Sequence, residues 1–289
     1  MPRAITFLLT LLAMIAFAGN SLLCRAALQH GRIDAASFTA IRILSGAFVL
    51  WLIVRLRGGS PGKGSGNWLS ALALFAYAAC FSYAYIGLPA ATGALLLFGA
   101  VQATMIGYGL WSGERFRPLQ VVGLACAFGG LAGLMLPGVS APPLVASLLM
   151  LVAGCAWGVY SLRGKGVADP TSATMGNFLR AAPMAVALGA AALPWSSLPL
   201  STLHRTGICY AIVSGALTSG VGYAIWYTAL RGLKASSAAV VQLSVPVIAA
   251  LGGIAFLGET ISLRLLVASA AILGGIALVI LERASPSTR

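Results

Sequence analysis

The ionisable residues best placed to bind a charged solute are two arginines that fall inside long apolar stretches of the sequence. Arg42 and Arg180 each lie about 9–12 Å from the nearer end of such a stretch, at a helical rise of roughly 1.5 Å per residue. A guanidinium donates hydrogen bonds in a rigid fork that matches a carboxylate, so either arginine could hold an acidic group. The alternative, which we favour, is that both side chains extend to the nearer polar boundary or bond neighbouring carbonyls.

The carboxylates and histidines avoid the apolar interiors. They lie at predicted helix ends or in loops: Asp34, Glu114, Asp169, Glu259, Glu282, His30 and His204. Glu114 and Glu259 each follow a glycine at a helix end, where a carboxylate can accept hydrogen bonds from the next helix N-terminus, and we favour this structural role. The sequence has neither an H-E-x-x-H nor a G-x-S-x-G motif. We therefore predict that the protein is not an enzyme and has no cofactor and no metal site.

Uncharged polar side chains near the middle of the apolar stretches are better binding candidates. Buried amides and hydroxyls are costly unless they find partners. A proline inside a helix frees a carbonyl about one turn earlier, and the broken segment can present backbone groups to a solute. The alternative is that these side chains only form hydrogen bonds between helices. Both interpretations, solute binding and interhelical bonding, stay open. These candidates are Asn20, Ser21, Gln102, Tyr160, Ser161, Gln242 and Ser244, with the helix break at Pro246.

Aromatic side chains form the third group of candidates. A pocket for an aromatic or long apolar group would use rings well inside the apolar stretches. These rings are Phe17, Tyr77, Phe81, Tyr83, Phe98, Trp157, Tyr223 and Trp226. Helix packing is the alternative for each ring. For Trp157 and Trp226, anchoring at a membrane interface is a further alternative, because Arg163 and Arg231 follow closely.

The elements that must position these residues are membrane-spanning helices. The 289 residues are 60% apolar and only 8% charged, whereas soluble domains carry roughly 25% charged residues. The net charge of +13 is spread over the loops, which argues against nucleic-acid binding. We predict an all-α polytopic membrane protein of ten transmembrane helices, each near the length of about 20 residues that spanning requires. They cover residues 4–28, 36–56, 67–88, 90–111, 118–137, 143–162, 172–195, 207–230, 235–257 and 262–281.

The basic residues predict the orientation. The loops and termini on one side of the membrane carry 12 Lys and Arg and those on the other side carry 4. Cytoplasmic loops carry the excess of positive charge, so both termini are predicted to be cytoplasmic. The cysteines are five in number and include no C-x-x-C pair. We predict that they are small buried apolar residues without a disulfide.

The sequence repeats itself. With a shift of 145, Gly113-Glu114 falls on Gly258-Glu259, and Gly129-Gly130 falls on Gly274-Gly275. Residues 1–138 and 139–289 are thus predicted to be two five-helix repeats within one transmembrane domain. Because each repeat has an odd number of helices, the second repeat enters the membrane from the opposite side and is inverted relative to the first. Inverted repeats are typical of alternating-access transporters, whose substrate site lies near the midplane between the repeats.

The same features resemble the drug/metabolite transporter superfamily, in its EamA-type branch. The segments that carry the resemblance are residues 90–115, 222–230 and 235–260, including Gln242-Leu-Ser-Val-Pro246 and Leu-Gly-Glu-Thr. Within the superfamily the chain is most similar to the aromatic amino acid exporter type. The resemblance implies an exporter of small metabolites in the bacterial inner membrane. One departure is that Val101-Gln102 stands in the first repeat where the second has Pro246.

These observations together predict an inner-membrane exporter of aromatic and other neutral amino acids and related metabolites. Since no Asp, Glu or His lies within a span, we expect facilitated rather than ion-coupled export. Other metabolites, drugs, and lipid-linked or nucleotide sugars are the alternative substrates. The expected partners are a small-molecule substrate and the lipid bilayer, and the oligomeric state stays open. An intramembrane enzyme or a channel is the competing class, but no catalytic cluster, charged ring or carbonyl filter is visible.

Overall fold

The structure, a computed structural model, is built from helices. It describes residues 3–58, 66–113, 117–136, 141–164, 167–192, 204–233 and 235–284. The helices are α1 (Arg3–Leu28), α2 (Ala35–Leu56), α3 (Trp68–Gly87), α4 (Ala90–Trp111), α5 (Pro118–Met135), α6 (Leu144–Gly164), α7 (Pro170–Ala192), α8 (Arg205–Leu230), α9 (Ala235–Gln242), α10 (Ser244–Leu257) and α11 (Leu263–Ala284). No strand occurs among these residues, which confirms the predicted all-α membrane fold.

Most of these helices are suited to crossing a membrane. Within the described ranges, 9 helical stretches are long and apolar enough to span: α1 to α6, α8, residues Val240–Leu257 and α11. The remaining predicted span, the seventh, corresponds to α7, which is 23 residues long but carries Arg180 and an internal Pro183. Large apolar side chains such as Phe7 and Phe256 are 71% and 81% exposed, as expected of a surface that contacts lipid.

Polar side chains start several helices. The Asp34 carboxylate accepts a hydrogen bond from the Ser37 amide at the start of α2, at 2.8 Å. Asn67 caps α3 in the same way through the Ser70 amide, at 2.9 Å. At the start of α7, burial acts to raise the pKa of Asp169, but hydrogen bonds from Ser172 and the Thr171 amide outweigh it and lower that pKa. These caps satisfy amides that a helix leaves without partners in its first turn.

The ninth predicted span is broken into α9 and α10. The break falls at Leu243, three residues before Pro246. Proline is tolerated in the first turn of a helix, and Pro246 lies in the first turn of α10. The Ser244 hydroxyl donates to the Val241 carbonyl at 2.7 Å, so a side chain of the same span satisfies a carbonyl beside the break.

The helices pack in a pattern that is nearly unchanged when α1–α5 are exchanged with α6–α11, where α9 and α10 count as one span. α6 packs on α3 and α4, and α1 packs correspondingly on α8 and α10. α2 pairs with α7, and α5 pairs with α11. The α5–α11 pair is close because glycines face each other: a Cβ on Gly275 would collide with the Gly123 carbonyl oxygen. Small residues allow such backbone approach in lipid.

The cysteines are placed differently from the prediction. Only Cys24 is buried; Cys80 is partly buried, and Cys126, Cys155 and Cys209 are exposed. All five are free thiols. The expectation of buried cysteines is wrong for the three exposed ones because their helices turn those positions outward, where a small apolar side chain suits lipid equally well.

Candidate functional site

Aromatic side chains from both halves of the chain meet at the centre of the bundle. Phe17 of α1 lies edge-on to Tyr223 and Trp226 of α8, with ring centroids 5.9 and 5.8 Å apart. Trp157 of α6 lies 5.0 Å from Tyr223. Tyr77 of α3 lies 4.9 Å from Trp157. The rings predicted separately on four helices therefore form one cluster.

This cluster surrounds a small central cavity. Its lining residues are Phe17, Asn20, Tyr77, Phe81, Leu97, Phe98, Trp157, Thr218 and Tyr223. Its volume is about 20 Å³, which is room for about one water molecule. Sites for drug-sized ligands are roughly 300–1,000 Å³. The cavity is therefore too small for an organic solute, and the helices must separate before one can enter; we refer to this arrangement as the closed state.

One corner of the cavity is polar and is organised by Asn20. The Asn20 amide nitrogen donates to the Tyr77 hydroxyl at 3.1 Å. Its amide oxygen accepts from the Ser214 hydroxyl at 2.6 Å and from the Thr218 hydroxyl at 3.3 Å. A buried amide needs such partners, and here they come from α3 and α8. The network fixes the orientation of Asn20 at the cavity wall.

The α8 hydroxyls come from an irregular part of that helix. Residues Ser214–Val221 form a π-helical stretch between the α-helical segments Arg205–Val213 and Gly222–Leu230. Within it, Ser214, Thr218 and Ser219 are buried. π-helical stretches inside α-helices are frequent at functional sites. A Cβ on Gly215 would collide with the Arg42 carbonyl oxygen, so glycine is required where this stretch touches α2.

Arg42 lies beside the polar corner and is 1% exposed. Its Nη2 donates to the Tyr77 hydroxyl at 3.0 Å and its Nε to the Ser219 hydroxyl at 3.3 Å. Its guanidinium carbon lies 5.1 Å from the ring centroid of Tyr77 and 4.9 Å from that of Phe81. Among the described residues, Nη1 has no hydrogen-bond partner.

The two arginines of the repeat therefore differ. The expectation that Arg42 extends to a polar boundary or bonds carbonyls is wrong, because hydroxyls of α3 and α8 and two aromatic rings hold it in the interior. Arg180 does bond a carbonyl of its own helix, with Nη1 donating to the Gly176 oxygen at 2.9 Å. Its side chain is only partly buried.

A second, more polar cavity of about 140 Å³ lies toward the end of the bundle that contains Arg163. We refer to this end as the Arg163 end. Arg163 of α6 donates to the Ser70 hydroxyl and to the Asn67 side-chain oxygen, both at 3.1 Å. Tyr160 lines this cavity, and its ring centroid lies 5.4 Å from that of Trp157, which lines the central cavity. These two rings separate the cavities.

The opposite end, which we refer to as the Glu259 end, is joined by one carboxylate. Glu259 lies after α10 and pairs with Arg25 of α1 at 3.3 Å. The Ala90 amide at the start of α4 donates to both carboxylate oxygens, at 3.0 and 2.8 Å. Arg25 also donates to the carbonyls of Tyr85 and Ile86, each at 3.0 Å. We name this set of contacts the Glu259 network.

This network revises one prediction. Glu259 does cap a helix N-terminus, as expected, but the helix is α4 in the first half of the chain rather than the next helix, α11. The carboxylate therefore links the two halves as well as satisfying an amide. Glu114, its counterpart in the repeat, lies outside the described residues.

Comparison with known proteins identifies the family. A model of the EamA-like transporter family matches residues 4–136 and 144–281. The chain belongs to that family. Membership makes this EamA-family protein a multi-pass membrane transport protein for small molecules, as the resemblance implied.

Individual relatives are consistent with this membership. An uncharacterized protein of Pseudomonas aeruginosa is 53% identical over 295 residues, covering 100% of this chain and 99% of its own. The threonine/homoserine exporter RhtA of Escherichia coli K12 is 32% identical over 166 residues, which are 54% of this chain and 53% of RhtA. A crystal structure with 18% identity and a TM-score of 0.68 covers 97% of this chain and 99% of its own, and shows the shared fold.

The structure brings about half of the candidate residues of this EamA-family protein to the central cavity. Those that line it are Phe17, Asn20, Tyr77, Phe81, Phe98, Trp157 and Tyr223. Trp226 is not part of this lining but packs against Phe17, which is. Tyr160 lines the polar cavity instead. The interior location of Trp157 and Trp226 favours the cavity over the interface-anchor interpretation.

The other candidates lie away from the central cavity, whose lining does not include Ser21, Tyr83, Gln102, Ser161, Gln242 or Ser244. Several bond their own helix instead. The Ser161 hydroxyl donates to the Trp157 carbonyl at 2.8 Å, and the Gln242 amide donates to the Ala238 carbonyl at 3.3 Å. A side chain that bonds the preceding turn is satisfied without a neighbouring helix or a solute. Polar character alone therefore does not identify cavity residues.

Three residues of the site were missed as candidates: Ser214, Thr218 and Ser219. For Arg42 the sequence allows a binding role but favours a position at the polar boundary. The available signal was the concentration of hydroxyls around Gly215 in α8, which can bond a buried amide only if they face the bundle interior. Within the described residues, no group of three or more His, Cys, Asp and Glu comes together in a way that could hold a metal ion.

Proposed function

We propose that this EamA-family protein exports neutral amino acids, aromatic ones included, and related small metabolites. The observation that carries the proposal is the central cavity, whose aromatic walls meet one polar corner at Asn20 and Tyr77. Such a site suits a small solute with an apolar side chain at one end and a polar head at the other. Large polar solutes such as nucleotide sugars fit this lining poorly.

The relatives support the amino acid class. RhtA is named as an exporter of threonine and homoserine, which are neutral amino acids, and it shares 32% identity over about half of this chain. The rings of Phe17, Trp157 and Tyr223 extend that class toward aromatic side chains here. Methionine and phenylalanine match these walls better than lysine or glutamate, because apolar walls favour an apolar side chain over a charged one that must lose its water.

Alternating access between two inverted repeats is the proposed mechanism. Its support is the exchange symmetry of the packing, in which α6 on α3 and α4 corresponds to α1 on α8 and α10. The matched ranges 4–136 and 144–281 divide the chain at the same place as the predicted repeats. The closed central cavity lies between a polar cavity toward the Arg163 end and the Glu259 network at the other. In this mechanism the two ends open in turn.

Export is proposed to be facilitated by the solute gradient alone. The carboxylates whose side chains the structure describes, Asp34, Asp169 and Glu259, lie outside the helices. A proton or sodium relay usually uses an acidic or histidine side chain inside the membrane. A tenfold solute gradient supplies about 1.4 kcal/mol, which is enough for downhill release. We place both termini in the cytoplasm, with the Glu259 end outward, on the distribution of Lys and Arg.

Counterflow in proteoliposomes tests the proposed function. Vesicles loaded with unlabelled phenylalanine would be diluted into labelled Phe, Met, Thr, Lys or Glu at equal pH on both sides. We expect saturable accumulation of Phe, Met and Thr, and little of Lys or Glu. Absence of counterflow with every amino acid, from protein that is monodisperse and folded, would refute the proposal and direct the search to sugar-linked solutes.

A matched pair of tryptophan variants connects transport to the central cavity. Trp157→Ala removes a cavity wall, whereas Trp111→Ala removes a side chain that is 87% exposed at the end of α4. We expect the first variant to lose most phenylalanine counterflow and the second to retain it. Equal losses would mean that the cavity is not the substrate site.

A further inference from the structure

Arg42 is a buried cation without an anionic partner in the part of the chain that the structure describes. Two of its nitrogens donate to neutral hydroxyls, those of Ser219 and Tyr77. The ion pair found in that part of the chain, Arg25–Glu259, lies at the Glu259 end. An isolated charge in a low-dielectric interior is costly, and hydroxyls return only part of the lost solvation. An anion at the unpartnered Nη1 would offset that cost.

The position of Arg42 makes the transported solute the source of that anion. Its guanidinium lies against the rings of Tyr77 and Phe81, and both rings line the central cavity. Since the cavity of about 20 Å³ must widen for a solute to enter, the rings must move apart. Displacement of Phe81 would place the unpartnered Nη1 at the enlarged cavity. Asn20 borders the same corner through its bond to the Tyr77 hydroxyl.

We propose that Arg42 binds the carboxylate of the transported solute through Nη1. This inference rests on the proposed function and narrows it to a chemical class: carboxylates that carry an apolar or aromatic side chain. The amino group of an amino acid is not needed for this contact. Amides and amines with the same side chain lack the negative charge and are poor ligands of the site.

Arg180 is the matched control that the repeat supplies. It is the counterpart of Arg42 in the second half and has the same side chain. It is partly exposed and donates to the Gly176 carbonyl of its own helix. A contribution of positive charge to insertion or folding would be similar for both arginines, whereas carboxylate binding requires Arg42 alone.

The test compares 3-phenylpropionate with 3-phenylpropionamide as inhibitors of labelled phenylalanine counterflow. The two compounds share the phenyl ring and the carbon chain. They differ in that the first ends in a negatively charged carboxylate and the second in a neutral carboxamide. We expect the carboxylate to inhibit at a concentration at least about tenfold lower, as a charge-assisted hydrogen bond to a buried guanidinium implies. Equal inhibition would overturn the inference while leaving the proposed function standing. The proposed function fails separately, if wild-type protein shows no amino acid counterflow.

Variants then assign the preference to Arg42. In Arg42→Gln the ratio of the two inhibition constants should fall toward one, whereas Arg180→Gln should retain the wild-type ratio. A merely structural role would reduce the rate of counterflow without changing this ratio. If Arg42→Gln does not fold, Arg42→Lys keeps the charge and should keep a reduced preference for the carboxylate. A folded Arg42→Gln or Arg42→Lys variant that retains the full wild-type ratio would overturn the inference.

Discussion

Neutralising Glu259 should open the end of the bundle at which it lies. In the closed state its carboxylate accepts two hydrogen bonds from the Ala90 amide and pairs with Arg25 at 3.3 Å. The Arg25 and Glu259 side chains are 17% and 12% exposed, so the pair is better shielded than a surface ion pair, which contributes about 0–1 kcal/mol. Glu259→Gln retains one acceptor oxygen but removes the charge.

The expected magnitude follows from these contacts. A hydrogen bond to a charged group contributes about 1.5–3 kcal/mol, and the substitution converts such bonds into neutral ones. Each of the bonds from Ala90 and Arg25 is then weakened by about 1 kcal/mol or more, which sums to a loss of about 1.5–3 kcal/mol from the closed state alone. Such a loss would raise the population of a state open at this end by roughly 10- to 100-fold. The open state does not lose this energy because, under alternating access, the Glu259 network is broken when that end opens.

Cys24 provides a built-in reporter for this opening. It immediately precedes Arg25 of the Glu259 network in the chain and is fully buried. In a background where the other four cysteines are replaced by alanine, a charged maleimide should label Cys24 slowly in the parent. Labelling should be about 10- to 100-fold faster in Glu259→Gln, since its rate follows the open population.

Asp34→Asn is the matched control. Asp34 is a helix-capping carboxylate at the same end, but it caps its own helix α2 and does not join the two halves. In the Asp34→Asn variant, Cys24 should be labelled at the same rate as in the parent. If Glu259→Gln also labelled at the parent rate, the Glu259 network would not hold the closed state. If both variants labelled faster, general loosening would be the cause.

Further substitutions test the packing and coupling. Gly215→Ala should destabilise the protein by about 1–3 kcal/mol in thermal unfolding, because the added Cβ would collide with the Arg42 carbonyl oxygen. Gly107→Ala is the control: its Cβ would meet nothing within 4 Å, so this variant should be neutral or stabilising. Asn20→Leu should cost about 1–3 kcal/mol and most phenylalanine counterflow, since it leaves the Ser214 hydroxyl without its acceptor; preserved stability and transport would contradict the role of the polar corner. Imposing a pH gradient on proteoliposomes should leave the final phenylalanine distribution unchanged, and uphill accumulation driven by the gradient would contradict facilitated export.

The sequence is sufficient for the membrane fold because lipid imposes a strong pattern. Stretches of about 20 apolar residues leave few alternatives to spanning helices, and the helices of the structure follow the predicted ranges closely. The break in the ninth span illustrates the limit. Pro246 indicates an irregularity, but helix geometry and the Ser244 hydroxyl decide that the break falls at Leu243.

The site is less predictable because helix rotation decides which side chains meet. Asn20 and Ser161 are both polar residues inside spans, yet Asn20 bonds hydroxyls of α8 while Ser161 bonds its own helix. Arg42 and Arg180 are likewise equivalent in the repeat and differ in burial. The π-helical stretch in α8 changes which residues face inward. Spacing in the sequence does not encode that rotation, so the hydroxyls of that stretch are recognised only in three dimensions.

A structure determined with bound L-phenylalanine tests most directly that the central cavity is the substrate site. Our account predicts the phenyl ring between Phe17, Trp157 and Tyr223, and the carboxylate within hydrogen-bond distance of Arg42 Nη1 in a widened cavity. Phenylalanine bound elsewhere in the bundle, or bound centrally with its carboxylate directed away from Arg42, would contradict it.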